Sequence, residues 1–212
     1  MLDFFAGERP WQEPLAEGAI VLRRYAVDKA SQLLQQIEQI AQLRPFRHRY
    51  TPKGYRMSVA MTECGRYAKT RRQAERCDRI DPHVAVDLSK LPRLFSHCAA
   101  AWANDAGYAD FVADSCLINR YRPGNRLTLH QDKDEKDLRQ PIVSVSLGIP
   151  AVFQFGGYQR SDLTRQIVLE HGDVVVWGGV ARLCYHGILP VKPASHFLTG
   201  AVRYNLTFRR AE

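Results

Sequence analysis

The sequence predicts an α+β fold in which helices come first and a β-rich C-terminal half follows. Two segments before residue 107 carry apolar residues at helical spacing. After residue 114 the chain breaks into short β-rich runs, each closed by glycine, proline or aspartate. Many short strands with regular turn signals indicate a sandwich or barrel and argue against a parallel βαβ sheet. With 212 residues and 45% hydrophobic content, residues 1–212 are expected to form a single domain.

The two helices have recognisable ends. The first is expected to follow Asp28, a candidate N-cap, and to end before Pro45. The second is expected to follow Ser89 and to stop at Gly107. The β-rich runs are residues 116–121, 142–147, 151–155, 167–170, 174–177, 183–186 and 202–208.

Composition excludes several classes of protein. No run of 18 apolar residues is present, so a transmembrane helix is not expected, and the first residues lack the features of a secretory signal. The five cysteines are odd in number and scattered, which argues against a disulfide framework and a zinc finger. The sequence therefore favours a cytoplasmic protein with no membrane partner, and we expect a monomer.

The positive charge is concentrated in one segment. Residues 44–79 hold eleven basic residues against three acidic ones, which equals the net charge of +8 of the whole chain. A basic segment on a neutral body is typical of a protein that binds the phosphate backbone of nucleic acid. The alternative, a solvated surface without a partner, stays open on charge alone.

Two histidines and an aspartate indicate a metal centre. In a strand, His130 and Asp132 would face the same side, and His186 lies in a later β-rich run. Two histidines and one carboxylate form the facial triad of non-haem Fe(II) oxygenases, which leaves coordination positions open. A second His-x-Asp sequence, residues 171–173, has glycine at its centre and is interpreted as a turn. His196 is a rival third ligand.

The C-terminal β-rich run places Arg203, Asn205 and Arg209 on one face. Two unpaired arginines cannot be buried in an apolar core, so they face solvent or hold a dicarboxylate through their guanidinium groups. Upstream, Asn119 and Tyr121 share a face and are either ligand-binding residues or a polar pair on an edge strand.

Taken together, these positions resemble the AlkB family of Fe(II)/2-oxoglutarate-dependent nucleic acid demethylases. The resemblance runs over nearly the whole chain and is densest in residues 114–209. The pattern is Asn119-x-Tyr121-x-x-Gly124-x-x-Leu127-x-x-His130-x-Asp132-x-Asp134, then His186, then Arg203-x-Asn205-x-x-x-Arg209.

The resemblance implies a double-stranded β-helix, or jelly-roll, core over residues 114–210, with flanking N-terminal helices and a nucleotide-recognition lid over residues 44–79. It implies Fe(II) at the catalytic residues His130, Asp132 and His186, with 2-oxoglutarate and O2 as cosubstrates. Arg203 is expected to grip the distal carboxylate of 2-oxoglutarate. The implied 2-oxoglutarate residues are Asn119, Tyr121, Leu127, Arg203, Asn205 and Arg209.

The implied activity is oxidative demethylation of bases such as 1-methyladenine and 3-methylcytosine in DNA and in RNA, releasing formaldehyde, succinate and CO2. A carboxylate at Asp134 would favour a cationic base. The lid departs from the family pattern because Lys69 stands where the family has an aromatic residue. The alternatives are a 2-oxoglutarate oxygenase acting on RNA or protein, and a non-catalytic nucleic-acid-binding jelly roll. The candidate substrate residues are Tyr55, Met61, Lys69, Lys133, Asp134 and Arg160.

Overall fold

The computed structural model describes residues 8–51, 53–66 and 88–211, and these residues form two antiparallel β-sheets and two α-helices. The helices are α1 (Ala30–Leu43) and α2 (Arg93–Asp105). The strands of the larger sheet are β1 (Trp11–Ala16), β2 (Ala19–Arg23), β3 (Arg47–Tyr50), β4 (Arg56–Gly65), β5 (Ser115–Tyr121), β7 (Ile142–Gly148), β10 (Val174–Trp177) and β12 (Arg203–Arg209). The strands of the smaller sheet are β6 (Leu127–His130), β8 (Ala151–Phe155), β9 (Arg165–Leu169) and β11 (His186–Ile188).

The two sheets face each other across an apolar layer. Their strand orders are β1-β2-β10-β7-β12-β5-β4-β3 and β6-β11-β8-β9, so strands that are distant in sequence lie side by side. The inward side chains of both sheets, among them Tyr121, Phe153 and Trp177, form the core between them. This arrangement confirms the expected jelly-roll core.

The helices cover the outer face of the larger sheet. A second core, which includes Leu33, Ile37, Phe95 and Trp102, lies between the helices and the sheet. Packing on that side leaves the inner face of the larger sheet free to carry polar residues toward the smaller sheet. Among the described helices, none is long and apolar enough to cross a membrane.

The order of elements differs from the expected one. Strands β1 to β4 precede residue 107 and join the larger sheet, so the prediction of helices first and strands afterwards is wrong for the N-terminal half. Of these, β1 and β3 were hidden because they are largely exposed at the two sheet edges and lack a clear apolar alternation.

Two element ends also differ. Asp28 lies in a 3-10 turn at Val27–Lys29 and not at the N-cap of α1, which is Lys29 and has no side-chain cap bond. The run at 183–186 is a loop up to His186, where β11 begins. Gly107 has a φ of +89° just past α2, as expected for a helix stop.

Candidate metal centre

Two histidines meet across the edge strand β6 of the smaller sheet and its neighbour β11. His130 ends β6, His186 begins β11, and the two are direct partners in the β6–β11 register. The strands approach closely at Gly187, where a Cβ atom would lie 2.7 Å from the main-chain oxygen of Leu127. With Asp132, the three side chains place one ligand atom each within 4.8 Å of one another.

Main-chain carbonyl groups set the orientation of both imidazoles. His130 Nδ1 lies 3.0 Å from the oxygen of Thr128, and His186 Nδ1 lies 3.0 Å from the oxygen of Cys184. A carbonyl oxygen only accepts, so each Nδ1 carries the proton and each Nε2 presents its lone pair. Both Nε2 atoms face Asp132, at 3.8 Å from Oδ1 for His130 and 3.7 Å from Oδ2 for His186.

Asp132 reaches this cluster from a loop. It lies beyond the end of β6, so no strand places residues 130 and 132 on one side as expected. The two side chains nevertheless lie together. Two arginines hold the residue in place of the strand. Arg182 donates to the Asp132 main-chain oxygen, and Arg209 Nη2 donates to Oδ1 at 2.7 Å.

Burial and charge keep His186 and Asp132 in the states that bind a divalent cation. Burial lowers the pKa of His186 to about 4, so its imidazole is neutral. Burial alone would raise the pKa of Asp132, but the positive charge of Arg209 outweighs it, and the pKa lies below its usual value. Asp132 Oδ2 accepts no hydrogen bond from the described residues. Two imidazoles that direct Nε2 into the cluster and one carboxylate with a free oxygen fit Fe(II).

Aromatic side chains form one wall of this centre. The ring centroid of Trp177 lies 4.8 Å from that of His186, and Phe153 lies 6.1 Å from it. Phe155 packs edge-on against Trp177. This wall keeps water away from the buried side of His186.

A buried cation lies deeper between the sheets. Arg203 is 1% exposed, its Nη2 donates to Ser146 at 3.0 Å, and its guanidinium lies 4.9 Å from the ring centroid of Tyr121. Its Nε and Nη1 donate to none of the described residues, and no described carboxylate pairs with it. A buried charge in this state is costly unless an anion reaches it, so the site fits the carboxylate of a ligand.

Two amides, Asn119 and Asn205, lie between this cation and Arg209, which contacts the metal cluster. Asn119 Nδ2 donates to Asn205 Oδ1 at 3.1 Å, and Asn119 Oδ1 has no donor among the described residues. Asn205 Nδ2 in turn donates to Ser144. Because β5 lies between β12 and β4, the interpretation of Asn119 as part of an edge strand is wrong. Leu127, on β6, packs against the inner core.

The rival ligands lie elsewhere. His171 and His196 stack on each other with centroids 4.1 Å apart, outside the three-residue cluster. Residues 171–173 form the turn between β9 and β10. The Asp173 carboxylate accepts from the main-chain N–H of Glu170 at 2.9 Å, which closes that turn.

The candidate substrate residues are mostly exposed. Lys133 and Asp134 lie in the loop after Asp132, Arg160 lies between β8 and β9, and Tyr55 is 72% exposed before β4. Met61 differs because it is buried in the inner core, and Lys69 lies outside the described residues.

Part of the basic segment is neutralised. Glu63 is buried and pairs with both Arg44, at 2.9 Å, and Arg49. Arg66 lies 3.6 Å from Asp114. The exposed basic residues of the described part of this segment are Arg47, Lys53, Arg56 and Arg66.

Sequence reasoning missed Glu135 and Arg182, which form a buried ion pair at 2.8 Å. Glu135 lies in a charged run, where the sequence does not separate an inward acid from outward ones. Arg182 stands alone between the apolar residues Ala181 and Leu183, and that isolation was the available signal.

Known oxygenases are similar to this chain in sequence and in fold. The model of the 2OG-Fe(II) oxygenase superfamily matches residues 18–209. The alpha-ketoglutarate-dependent dioxygenase AlkB of Escherichia coli K12 is 56% identical over 212 residues, which cover 100% of this chain and 98% of that protein. The corresponding protein of Salmonella typhimurium LT2 is 58% identical over the same coverage. The solved structure of OsALKBH1 has a TM-score of 0.72 at 26% identity and covers 93% of this chain and 100% of that one.

Proposed function

The chain belongs to the 2OG-Fe(II) oxygenase superfamily and, within it, to the AlkB dioxygenases, and from this premise we propose that it demethylates alkylated bases in nucleic acid. It is an Fe(II)/2-oxoglutarate-dependent dioxygenase that consumes O2. The observation that carries the proposal is the pairing of a two-histidine, one-carboxylate cluster with a buried arginine on the same inner surface.

The metal would be held by His130 Nε2, His186 Nε2 and Asp132 Oδ2. When bound, Fe(II) with 2-oxoglutarate and O2 supplies the oxidising power that hydroxylates an N-methyl group, while 2-oxoglutarate becomes succinate and CO2. The hydroxymethyl group then leaves the base as formaldehyde. The protein contributes binding, orientation and exclusion of water.

Arg203 would bind the distal carboxylate of 2-oxoglutarate. Its Nε and Nη1 are the donors without acceptors among the described residues, and a charged guanidinium N–H donates strongly to a carboxylate oxygen. The Asn119 and Asn205 amides lie between this end and the metal cluster. Arg209 lies at the metal end, against Asp132.

The substrate would enter beside the exposed loop after Asp132. Bases such as 1-methyladenine and 3-methylcytosine carry a positive charge, which the carboxylate of Asp134 would favour. A base inside a duplex cannot reach the buried cluster, so it must be flipped out or already single-stranded. Lys133, Arg160 and Tyr55 are exposed and available for contacts with nucleic acid.

Names of relatives bear on the range of substrates. One relative from Arabidopsis thaliana is a DNA N(6)-methyladenine demethylase, and one from Schizosaccharomyces pombe is a tRNA demethylase. We propose DNA as a substrate and RNA as a second one. We also propose a cytoplasmic location, since Cys64 and Cys116 face each other on β4 and β5 as free thiols.

The test is aerobic incubation with Fe(II), 2-oxoglutarate and an oligonucleotide that contains one 3-methylcytosine. We expect the oligonucleotide to lose the mass of one methylene group, with one succinate formed for each event. DNA and RNA versions of the same sequence separate the two substrates. Succinate without change in either oligonucleotide would favour a protein substrate, and no succinate would favour a binding protein.

A further inference from the structure

A buried acid lies close behind the metal cluster. The side chain of Glu135, three residues after Asp132, has no exposed surface. It sits between two arginines: Arg182 Nη2 donates to Oε2 at 2.8 Å, and Arg209 Nη1 donates to Oε1 at 3.1 Å. Each carboxylate oxygen therefore receives a charged hydrogen bond from a different strand or loop of the protein.

Both arginines also hold Asp132, by different routes. Arg209 Nη2 donates to the carboxylate at Oδ1, which turns Oδ2 toward His186. Arg182 Nη1 donates to the Asp132 main-chain oxygen, and its Nε donates to the Gln140 oxygen at 2.8 Å. One arginine thus orients the side chain of the metal ligand and the other fixes its main chain. Glu135 joins the two arginines.

Charge balance explains why the acid is needed. Arg182 is 2% exposed, and its only described carboxylate partner is Glu135. Without Glu135 the guanidinium of Arg182 would be buried without a described carboxylate, and Arg209 would lose one of its carboxylate partners. Removing one member of such a buried network leaves the others uncompensated, so the geometry of Asp132 would change.

We propose that Glu135 and Arg182 are positioning residues for the metal, acting through Arg209 and through the main chain of Asp132. They contact neither the metal nor the cosubstrate. The proposal rests on the metal centre of the proposed function. It adds that the ligand Asp132, which no strand holds, gets its orientation from a buried ion network.

The test is metal binding to the full chain, with Mn(II) as an oxygen-stable probe in place of Fe(II). Free Mn(II) is counted by its electron paramagnetic resonance signal during titration of wild type and Glu135→Gln. Loss of a partner behind a metal ligand typically weakens metal affinity about tenfold to a hundredfold, and we expect a loss of at least tenfold. The unfolding temperature of each metal-free protein is measured alongside.

Asp173→Asn is the matched control, because it also removes a buried acid paired with an arginine but lies outside the metal cluster. We expect it to lower the unfolding temperature and to bind Mn(II) as wild type does. Glu135→Gln with wild-type Mn(II) affinity overturns the proposal. A wild-type protein that binds no Mn(II) overturns the metal centre itself, so the two failures are distinguishable.

Arg182→Lys decides the matter if Glu135→Gln does not fold. Lysine keeps the charge but cannot reach Glu135, Gln140 and the Asp132 oxygen together. We expect the metal concentration for half-maximal rate to rise at least tenfold and kcat at saturating metal to recover, because the ligand set is intact. An unchanged metal requirement with a reduced kcat contradicts a positioning role.

Discussion

The chain contains the sequence His-x-Asp twice, at residues 130–132 and 171–173, and the structure uses the two copies differently. Both aspartates are buried and both meet an arginine, Arg209 at 2.7 Å from Asp132 and Arg23 at 2.6 Å from Asp173. The two aspartates differ in the other hydrogen bonds that their carboxylate oxygens accept.

Both oxygens of Asp173 are occupied. Oδ1 accepts from the N–H of Arg24 at 3.0 Å, and Oδ2 accepts from the N–H of Glu170 and from Arg23. In Asp132, Oδ2 accepts from none of the described residues and faces a histidine. A carboxylate with every oxygen occupied stabilises a turn, and one with an oxygen left open can bind a cation.

The histidines differ in the same sense. His171 Nδ1 lies 3.0 Å from the main-chain N of Gly148, which only donates, so this Nδ1 is the acceptor and the proton is on Nε2. His130 Nδ1 faces a carbonyl oxygen, so the lone pair is on Nε2 and points into the cluster. The comparison teaches that the partner of Nδ1 decides which imidazole is available to a metal.

Removal of the metal ligands is expected to give the largest effect. It tests whether residues 130–132, and not residues 171–173, bind the metal. His130→Ala, Asp132→Ala and His186→Ala should each reduce succinate formation by more than about a hundredfold, since even groups behind a ligand cost tenfold to a hundredfold. The measurement is O2-dependent succinate formation at saturating cosubstrate. His171→Ala is the control and should keep most of the rate. The reverse result would mean that the second copy is the metal site.

Removing the structural aspartate should affect stability instead of chemistry. Asp173→Asn leaves Arg23 without its closest carboxylate, and breaking a buried pair costs about 3 kcal/mol. We expect that loss in the free energy of unfolding, measured by urea denaturation of the metal-free protein. Glu17→Gln is the control, because Glu17 is an exposed acid in the turn between β1 and β2. It should leave the free energy of unfolding unchanged. An unchanged stability for Asp173→Asn would show that the turn does not depend on its charge.

A third arginine sharpens the comparison, since Arg203 has no described carboxylate partner while Arg209 and Arg23 each have one. Arg203→Ala should weaken 2-oxoglutarate binding at least tenfold, because losing one partner of a desolvated charge pair costs about 2–5 kcal/mol. Calorimetric titration with Mn(II) present and O2 excluded measures the dissociation constant. Arg203→Lys keeps the charge but loses the planar guanidinium group, so its dissociation constant should lie between those of wild type and Arg203→Ala. An unchanged constant for Arg203→Ala would place the cosubstrate elsewhere.

The smallest expected effect concerns basic residues that lie outside both His-x-Asp sequences. Arg47 and Arg56 are exposed on β3 and β4, and replacing both with alanine should reduce the slope of log affinity against log salt for a single-stranded oligonucleotide. Each lost phosphate contact should flatten the slope by about 0.7. Plain and methylated oligonucleotides should weaken equally, because phosphate contacts carry no base information.

Lys29 and Lys192 are exposed outside the basic segment and provide the control pair. Replacing both with alanine should leave the salt slope unchanged. Equal slopes for all three proteins would mean that the phosphate path does not cross β3 and β4.

Local patterns in the sequence identified several strands after residue 114, such as β10, which is a continuous apolar run, and β7, where serines alternate with apolar residues. They did not identify the short strand β6, which carries His130. They also identified the facing of Arg203 and Asn205 on β12, which follows from the period of two. The cosubstrate roles of these residues stay predictions.

The remaining features depend on contacts between distant parts of the chain. Asp132 is oriented by Arg182 and Arg209, and no local periodicity encodes bonds over 50 and 77 residues. Strand β2 pairs with the distant β10 and β4 pairs with the distant β5, while β1 and β3 join the sheet through β2 and β4. For the same reason Glu135 was indistinguishable from the exposed acids around it.

The register that makes His130 and His186 direct partners has a consequence for folding. In the unfolded chain, an ion bound to both histidines would have to close a long loop, at an entropic cost that grows with the length of the loop. In the folded protein the β6–β11 pairing has already closed it. A bound ion would therefore act as a cross-link that the native state accepts without further ordering, and the short strands β6 and β11 would gain rigidity from the same atom that serves the chemistry.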